Sequence, residues 1–288
     1  MLLSISHITV YRYSEPVALG PHRLMVRPLE AHDVQIRSST LKISPEHRVR
    51  WIHDVFGNSI ALVDFLAPAA ELRVESAVTV EQYNTNPFDF VLDPSASELP
   101  FYYQPDEMPD LSPYLQRQYP GDDQVIRQWL RPFLNVQGRG KTLEFLIALN
   151  KSVPMIFTYR RREEPGVQSP GQTLSYRSGS CRDFALLMME AARSMGLAAR
   201  FVSGYLCQAA GGVHEAAMGA THAWAEIYLP GAGWRGFDPT CGILAADTHL
   251  RVAVTRMPSQ AVPVGGLFTG YPMQYRGLQV MVDARVME

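Results

Sequence analysis

The first part of the chain alternates with a period of two. Leu3, Ile5, His7, Thr9 and Tyr11 fall on one side of an extended chain, and Ser4, Ser6, Ile8, Val10 and Arg12 on the other. Val49 to Ile52 and Ser59 to Phe65 then flank D-V-F-G-N, where Gly57 and Asn58 are expected to supply the positive φ of a hairpin turn. Leu72 to Glu81 is another β-rich run, and no helical period interrupts these segments. Residues 1–85 therefore predict an all-β, sandwich-like domain in which facing sheets each bury one face.

Residues 86–119 show no sustained period and are rich in Pro, Asp, Ser and Tyr. A free linker would expose Phe88, Phe90, Phe101, Tyr102 and Tyr103, so an ordered connection packed down by its aromatic rings is expected.

From residue 120 the period changes to that of a helix. Asp122 or Asp123 can cap a run with Val125, Ile126, Trp129 and Phe133 on one side. Thr142 to about Lys151 is apolar nearly all round and predicts a buried helix, followed by a short strand over Met155 to Tyr159 and a charged loop over Arg160 to Gly171. Phe184, Leu187, Met188, Ala191, Ala192 and Met195 recur at steps of three and four until Gly196, a suitable helix terminator. Strands follow at Arg200 to Cys207, Thr221 to Leu229 and Trp234 to Phe237, the last two joined by the turn P-G-A-G; Val252 to Val254 and Leu278 to Val286 add more β material. The fold class expected is α+β. Residues 120–288 read as helices packed on a mostly antiparallel sheet, with the C-terminal strand able to return to the N-terminal domain.

Composition narrows the function more than the fold. The 288 residues are 47% hydrophobic and 19% charged with a net charge of -2, which gives no electrostatic case for nucleic acid. No apolar run is long enough to span a bilayer, and M-L-L-S-I-S-H lacks the pattern of a secretory leader, so no membrane partner and a cytoplasmic location are expected. Three cysteines do not make a disulfide framework.

The candidate chemistry lies in G-S-C-R-D-F. Ser180 can cap a helix and Asp183 can complete the cap, which puts Cys181 in a first turn where unpaired amides and the helix dipole favour a thiolate and can face an oxyanion. Gly179 is expected to leave room for substrate. In T-H-A-W-A-E-I-Y, a strand places His222, Trp224 and Glu226 on one face; His222 can act as base and Trp224 can wall the site off from water. Asp238 ends the next strand, where it can fix the imidazole tautomer. His214, in a Gly- and Ala-rich stretch, is a poorer platform for a base. Tyr176 can donate to the oxyanion region or pack under the loop. Cys207 and Cys241 read as structural thiols. The set Cys181, Cys207, Cys241 and His222 lacks the C-x-x-C or H-x-x-x-H spacing of a zinc site, so neither metal nor cofactor is expected.

T-L-S-Y-R-S-G-S-C-R-D-F-A-L-L-M-M-E-A-A-R-S-M-G-L-A-A-R-F-V-S-G-Y, with T-H-A-W-A-E and G-W-R-G-F-D-P-T, closely resembles the bacterial transglutaminase-like cysteine protease family. H-I-T-V-Y-R-Y, Arg27-Pro28 and D-V-F-G-N resemble its companion N-terminal β domain. The resemblance implies a papain-like catalytic core over about residues 120–260, with Cys181 as nucleophile, His222 as base and Asp238 as third member. It implies a peptide or protein substrate, and hydrolysis or transamidation as the reaction; a peptide-binding or assembly module that retains the triad is the non-enzymatic alternative. Two departures stand out. Cys241 replaces the asparagine common in D-P-T-N, and Thr255 to Met257 replaces a G-R-D.

Overall fold

A computed structural model describes residues 1–83, 86–162, 164, 166–207 and 221–287. The N-terminal part contributes β1 (Leu2–Leu24), β2 (Val34–Ser44), β3 (His47–His53), β4 (Ser59–Phe65) and β5 (Ala69–Gln82). A connecting stretch carries β6 (Glu98–Leu99) and α1 (Met108–Leu115). Then come α2 (Asp123–Leu130), β7 (Gly140–Lys141), α3 (Thr142–Ile156), β8 (Thr158–Tyr159), α4 (Pro170–Tyr176), β9 (Ser178–Gly179) and α5 (Cys181–Ser194). The chain finishes with β10 (Ala199–Leu206), β11 (His222–Leu229), β12 (Gly233–Asp238), β13 (Ile243–Leu244), β14 (His249–Thr255), β15 (Val264–Thr269) and β16 (Tyr275–Met287). No helix among the described residues is long and apolar enough to cross a membrane.

The N-terminal β unit is organised by one long strand. The first half of β1 pairs antiparallel with β5 and β16, its second half with β4 and β15. Its ladder with β5 breaks between Arg12 and Val17, where Pro16 has no N–H to offer. There the strand crosses from one layer to the other, which curls the sheet around Tyr13, Val17, Leu19, Leu24, Val63, Leu72 and Val74. The last two strands of the chain thus belong to this unit, not to the sheet that precedes them.

The second sheet is antiparallel in the order β13-β12-β11-β10-β14, with α5 packed against β10 and β11. α5 is buried along most of its length and ends at Gly196, whose φ of +80° suits a residue without a side chain. Its buried Glu190 accepts from Arg193 Nη1 (2.9 Å), Arg117 Nε (3.2 Å) and the amides of Gln118 and Tyr119 (both 3.1 Å), so the helix binds the connecting segment as well as the sheet.

Three expectations change. α3 runs through Pro154 to Ile156, and only Thr158 and Tyr159 form the strand anticipated from Met155; a short apolar run does not reveal its own period. Of the connecting aromatics, Phe101 and Tyr103 are buried, and Tyr103 Oη donates to Tyr228 O (2.9 Å) while accepting from Ala198 N (2.8 Å). Tyr102 is 89% exposed, so the Phe101–Tyr103 segment faces the core with two of its three rings. In the hairpin turn Gly57 has φ +79°, but Asn58 has no positive φ. Asn58 instead is wholly buried and pairs its amide with β14: Nδ2 donates to Val254 O and Oδ1 accepts from Val254 N, both at 2.8 Å.

That amide joins the two sheets, as does buried His7, whose ring lies 2.8 Å from Tyr205 Oη and 3.0 Å from Thr9 Oγ1. Asn58→Ala leaves two buried backbone groups of β14 unpaired and is expected to cost about 2–4 kcal/mol in urea unfolding; a loss under about 0.5 kcal/mol would mean the amide is dispensable. Burial lowers the His7 pKa to about 4 from an ordinary 6.5. The unfolded chain therefore binds a proton that the folded protein refuses, and stability should fall as pH drops from 6.5 towards about 4. His7→Gln should flatten that slope in the same unfolding measurements.

Candidate active site

The site forms where the start of α5 meets β11 and β12. Ser180 is extended ahead of the helix, and its N–H and Oγ donate to Asp183 Oδ2 at 2.8 and 2.9 Å. Asp183 Oδ1 accepts from Gln168 N at 2.7 Å and Arg162 Nη1 at 2.9 Å. This buried carboxylate holds both the helix start and the charged loop before it. A Cβ on Gly179 would stand 3.0 Å from Asp183 Cβ and 3.2 Å from the Phe184 ring. The missing side chain thus admits Asp183, rather than a substrate as expected. Cys181 is the first residue of α5 and is buried.

β11 begins at His222, and its antiparallel pairing of Ala225 with Phe237 carries Asp238 to the same end of the sheet. His222 Nε2 donates to Asp238 Oδ2 at 2.8 Å, and both side chains are fully buried. Thr240 N (2.9 Å) and Cys241 N (3.3 Å) donate to the other carboxylate oxygen. Burial alone would push the imidazole pKa down. The Asp238 charge and hydrogen bond, helped by the thiols of Cys181 and Cys241, outweigh it and hold the pKa well above 6.5. Burial would raise the Asp238 pKa, but the facing imidazoles keep it well below the usual carboxylate range. With Nε2 engaged, Nδ1 is the ring nitrogen with no hydrogen-bond partner among the described residues, and so the one free to exchange a proton with a thiol.

Three residues enter the site that sequence reasoning did not assign to it. His249 Nε2 donates to the same Asp238 Oδ2 at 3.1 Å, so two imidazoles share one carboxylate. Gly204 makes this possible: a Cβ there would lie 2.2 Å from Leu250 O and 2.7 Å from the Trp224 ring. Trp224 thus lies over β10, where its ring meets His249 edge-on at 5.2 Å and His222 at 6.2 Å. Trp224 is buried and forms the inner wall of the site. Tyr159 is the second addition. Burial raises its phenol pKa first, and proximity to Cys181 adds to the rise. It is set there by the parallel pairing of β8 with β9, Tyr159 opposite Gly179. Cys241 is the third: its donor atom and those of His222 and Asp238 lie within 4.8 Å of one another. No local pattern marks His249, whose partner lies on another strand; Cys241 follows Asp238 by three residues in the D-P-T turn, and Tyr159 carries the weak signal of lying beside the charged loop.

Other expected positions fall elsewhere. Tyr176 ends α4, is 62% exposed and lines a surface cleft with Arg160, Arg161, Arg162 and Arg177. Cys207 is buried, and burial alone raises its thiol pKa to about 12. His214 lies outside the described residues. Arg182 donates to Pro258 O (2.6 Å) and Ala261 O (3.4 Å) and lies over the Phe201 ring, fastening the turn that leads back to β15. A cleft of about 630 Å³ opens between the two sheets beside the site, lined by His7, Tyr11, Arg161, Arg182, Thr221 and Tyr275 among others.

Residues 3–81 match the bacterial transglutaminase-like N-terminal region, and residues 134–239 match the transglutaminase-like superfamily. An uncharacterized protein of Mycobacterium leprae is 25% identical over 278 residues, covering 93% of each chain. One from Mycobacterium bovis is 26% identical, over 91% of this chain and 86% of its own. Among solved structures, a candidate cysteine protease from Cytophaga hutchinsonii superposes with a TM-score of 0.72 at 16% identity, over 100% of this chain and 92% of that one, a likeness of fold.

Asp238→Asn removes the charge that offsets burial, so the His222 pKa should drop below 6.5. Following the ring by NMR through a pH titration checks this: the wild-type ring should stay protonated above pH 6.5, and the variant ring should be neutral there. Matching titrations would mean that another group sets the charge.

Proposed function

We propose that this chain, which belongs to the transglutaminase-like superfamily and joins its papain-like core to the bacterial N-terminal region, is a cysteine-dependent peptidase or amidohydrolase. Cys181 is the nucleophile, His222 the base and Asp238 the carboxylate that orients it. The observation that carries this reading is the buried His222–Asp238 pair, 2.8 Å apart, whose ring also interacts with the thiol at the start of α5.

The thiol proton passes to His222 Nδ1, and the Asp238 charge favours the imidazolium that results. The thiolate attacks the carbonyl carbon of a carboxamide or peptide bond. Amides at the N-terminus of α5 are suited to the tetrahedral oxyanion, and Tyr159 adds a hydroxyl on the same side. His222 returns its proton to the departing amine, leaving a thioester on Cys181. Water, deprotonated by His222, attacks the thioester and releases the acid and the thiol. A primary amine in place of water would instead form a new amide, the transamidase reaction.

Peptide libraries incubated with the purified protein, with and without a primary amine, separate these outcomes. Released acid supports hydrolysis, and amine incorporation supports transamidation. Cys181→Ala should lower turnover by about 10⁴-fold or more, while Cys207→Ala, altering a thiol away from the site, should retain it. Equal losses in both variants would remove Cys181 from the nucleophile's role. No turnover of any library, with a Cys181 thiol inert to alkylation, would favour the binding-module reading.

A further inference from the structure

Cys241 is unused by the reaction just described, yet it stands against the two groups that reaction needs most. Its donor atom lies with those of His222 and Asp238 inside a span of 4.8 Å, the one such group of metal-type ligands among the described residues. The ring of His222 also interacts with the Cys181 thiol. One sulfur, one imidazole nitrogen and one carboxylate oxygen therefore converge on a single point. A tetrahedral zinc ion, with bonds of roughly 2.0–2.3 Å to such ligands, needs donor atoms about 3.3–3.8 Å apart. The observed span would close by about 1 Å, within reach of side-chain rotation on Cys241.

We propose that Cys241, His222 and Asp238 form a three-ligand binding site for zinc, and that the metal reversibly takes from the Cys181 thiol the imidazole that serves as its base. Donor chemistry selects the ion. A thiolate beside an imidazole is soft to borderline and suits zinc, whereas magnesium and calcium require a shell of oxygens. The ligand set also has the outer support that metal-binding carboxylates use. His249 Nε2 holds Asp238 Oδ2 at 3.1 Å, and Thr240 N holds Oδ1 at 2.9 Å. Binding releases the Cys241 thiol proton and one imidazole proton of His222 to solvent, so no oxidant or reductant is involved. An asparagine at position 241, which the related D-P-T-N pattern carries, would supply no thiolate.

The experiment uses the full chain under a non-thiol reductant, titrated with zinc against a chelating dye and separately with cobalt(II). The expected result is one zinc per chain, a sulfur-to-cobalt charge-transfer band in the near ultraviolet, and slower iodoacetamide labelling of Cys181 with zinc present. Cys241→Ser and Cys241→Asn should each weaken zinc binding by at least about tenfold and diminish the cobalt band, while Cys207→Ser should bind as wild type. Circular dichroism of each variant identifies any that misfold, and the second substitution at 241 then stands in. Absence of stoichiometric zinc binding, absence of the cobalt band, or affinity unchanged in both Cys241 variants would overturn the proposal. None of these readouts needs a substrate, so they stand apart from the catalytic reading.

Discussion

The structure around the site depends on keeping a carboxylate charged where water cannot reach it. Asp238 is fully buried, and an isolated charge there would be expelled by protonation or by unfolding. It is kept by four donors: two imidazole N–H groups on one oxygen and two backbone N–H groups on the other. The donors come from three places in the chain, so the carboxylate fixes the start of β11, the start of β14 and the turn after β12 at once. The same charge sets the protonation of His222, which makes the stabilising interaction and the chemical one a single object.

α5 supplies the complementary support. Three of its charged side chains are buried, and each holds a different neighbour: Asp183 the charged loop, Glu190 the connecting segment, Arg193 the carbonyls of Tyr114, Ala199 and Arg256. A helix that serves only as packing would carry apolar residues at these positions. Here it acts as a pillar to which the surroundings of Cys181 are individually tied. The N-terminal sheet is tied to the second through Asn58 and His7, and β15 and β16 return to β1 after the second sheet is complete.

Much of this could be read along the chain because it is local. The period of two in β1, the steps of three and four in α5, Gly196 at its end and the P-G-A-G hairpin all follow from contacts between near neighbours. The Ser180–Asp183 cap is a three-residue relation, and the partners His222 and Asp238 lie on consecutive strands joined by a tight turn. Readings that failed were those in which local pattern and tertiary context diverge. Tyr176 sits five residues before Cys181 but is largely exposed and lines a separate arginine-rich cleft, at the end of a helix that stops in the αL turn at Arg177. Gly179 reads as open space but is filled by Asp183, a neighbour four residues away in the helix that follows.

The sequence by itself determined the period of each main element, the order of the two β units and the residue types that a thiol, a base and an acid require. These depend on side-chain spacing of two or three to four residues and on the chemistry each side chain carries wherever it goes. Only the tertiary structure decided that a second histidine shares Asp238, that Cys241 rather than Cys207 joins the site, and that Asn58 pairs with a strand 196 residues away. Those contacts arise when separate strands are brought into register over a glycine or across a domain boundary, and no short stretch of chain carries the information for them.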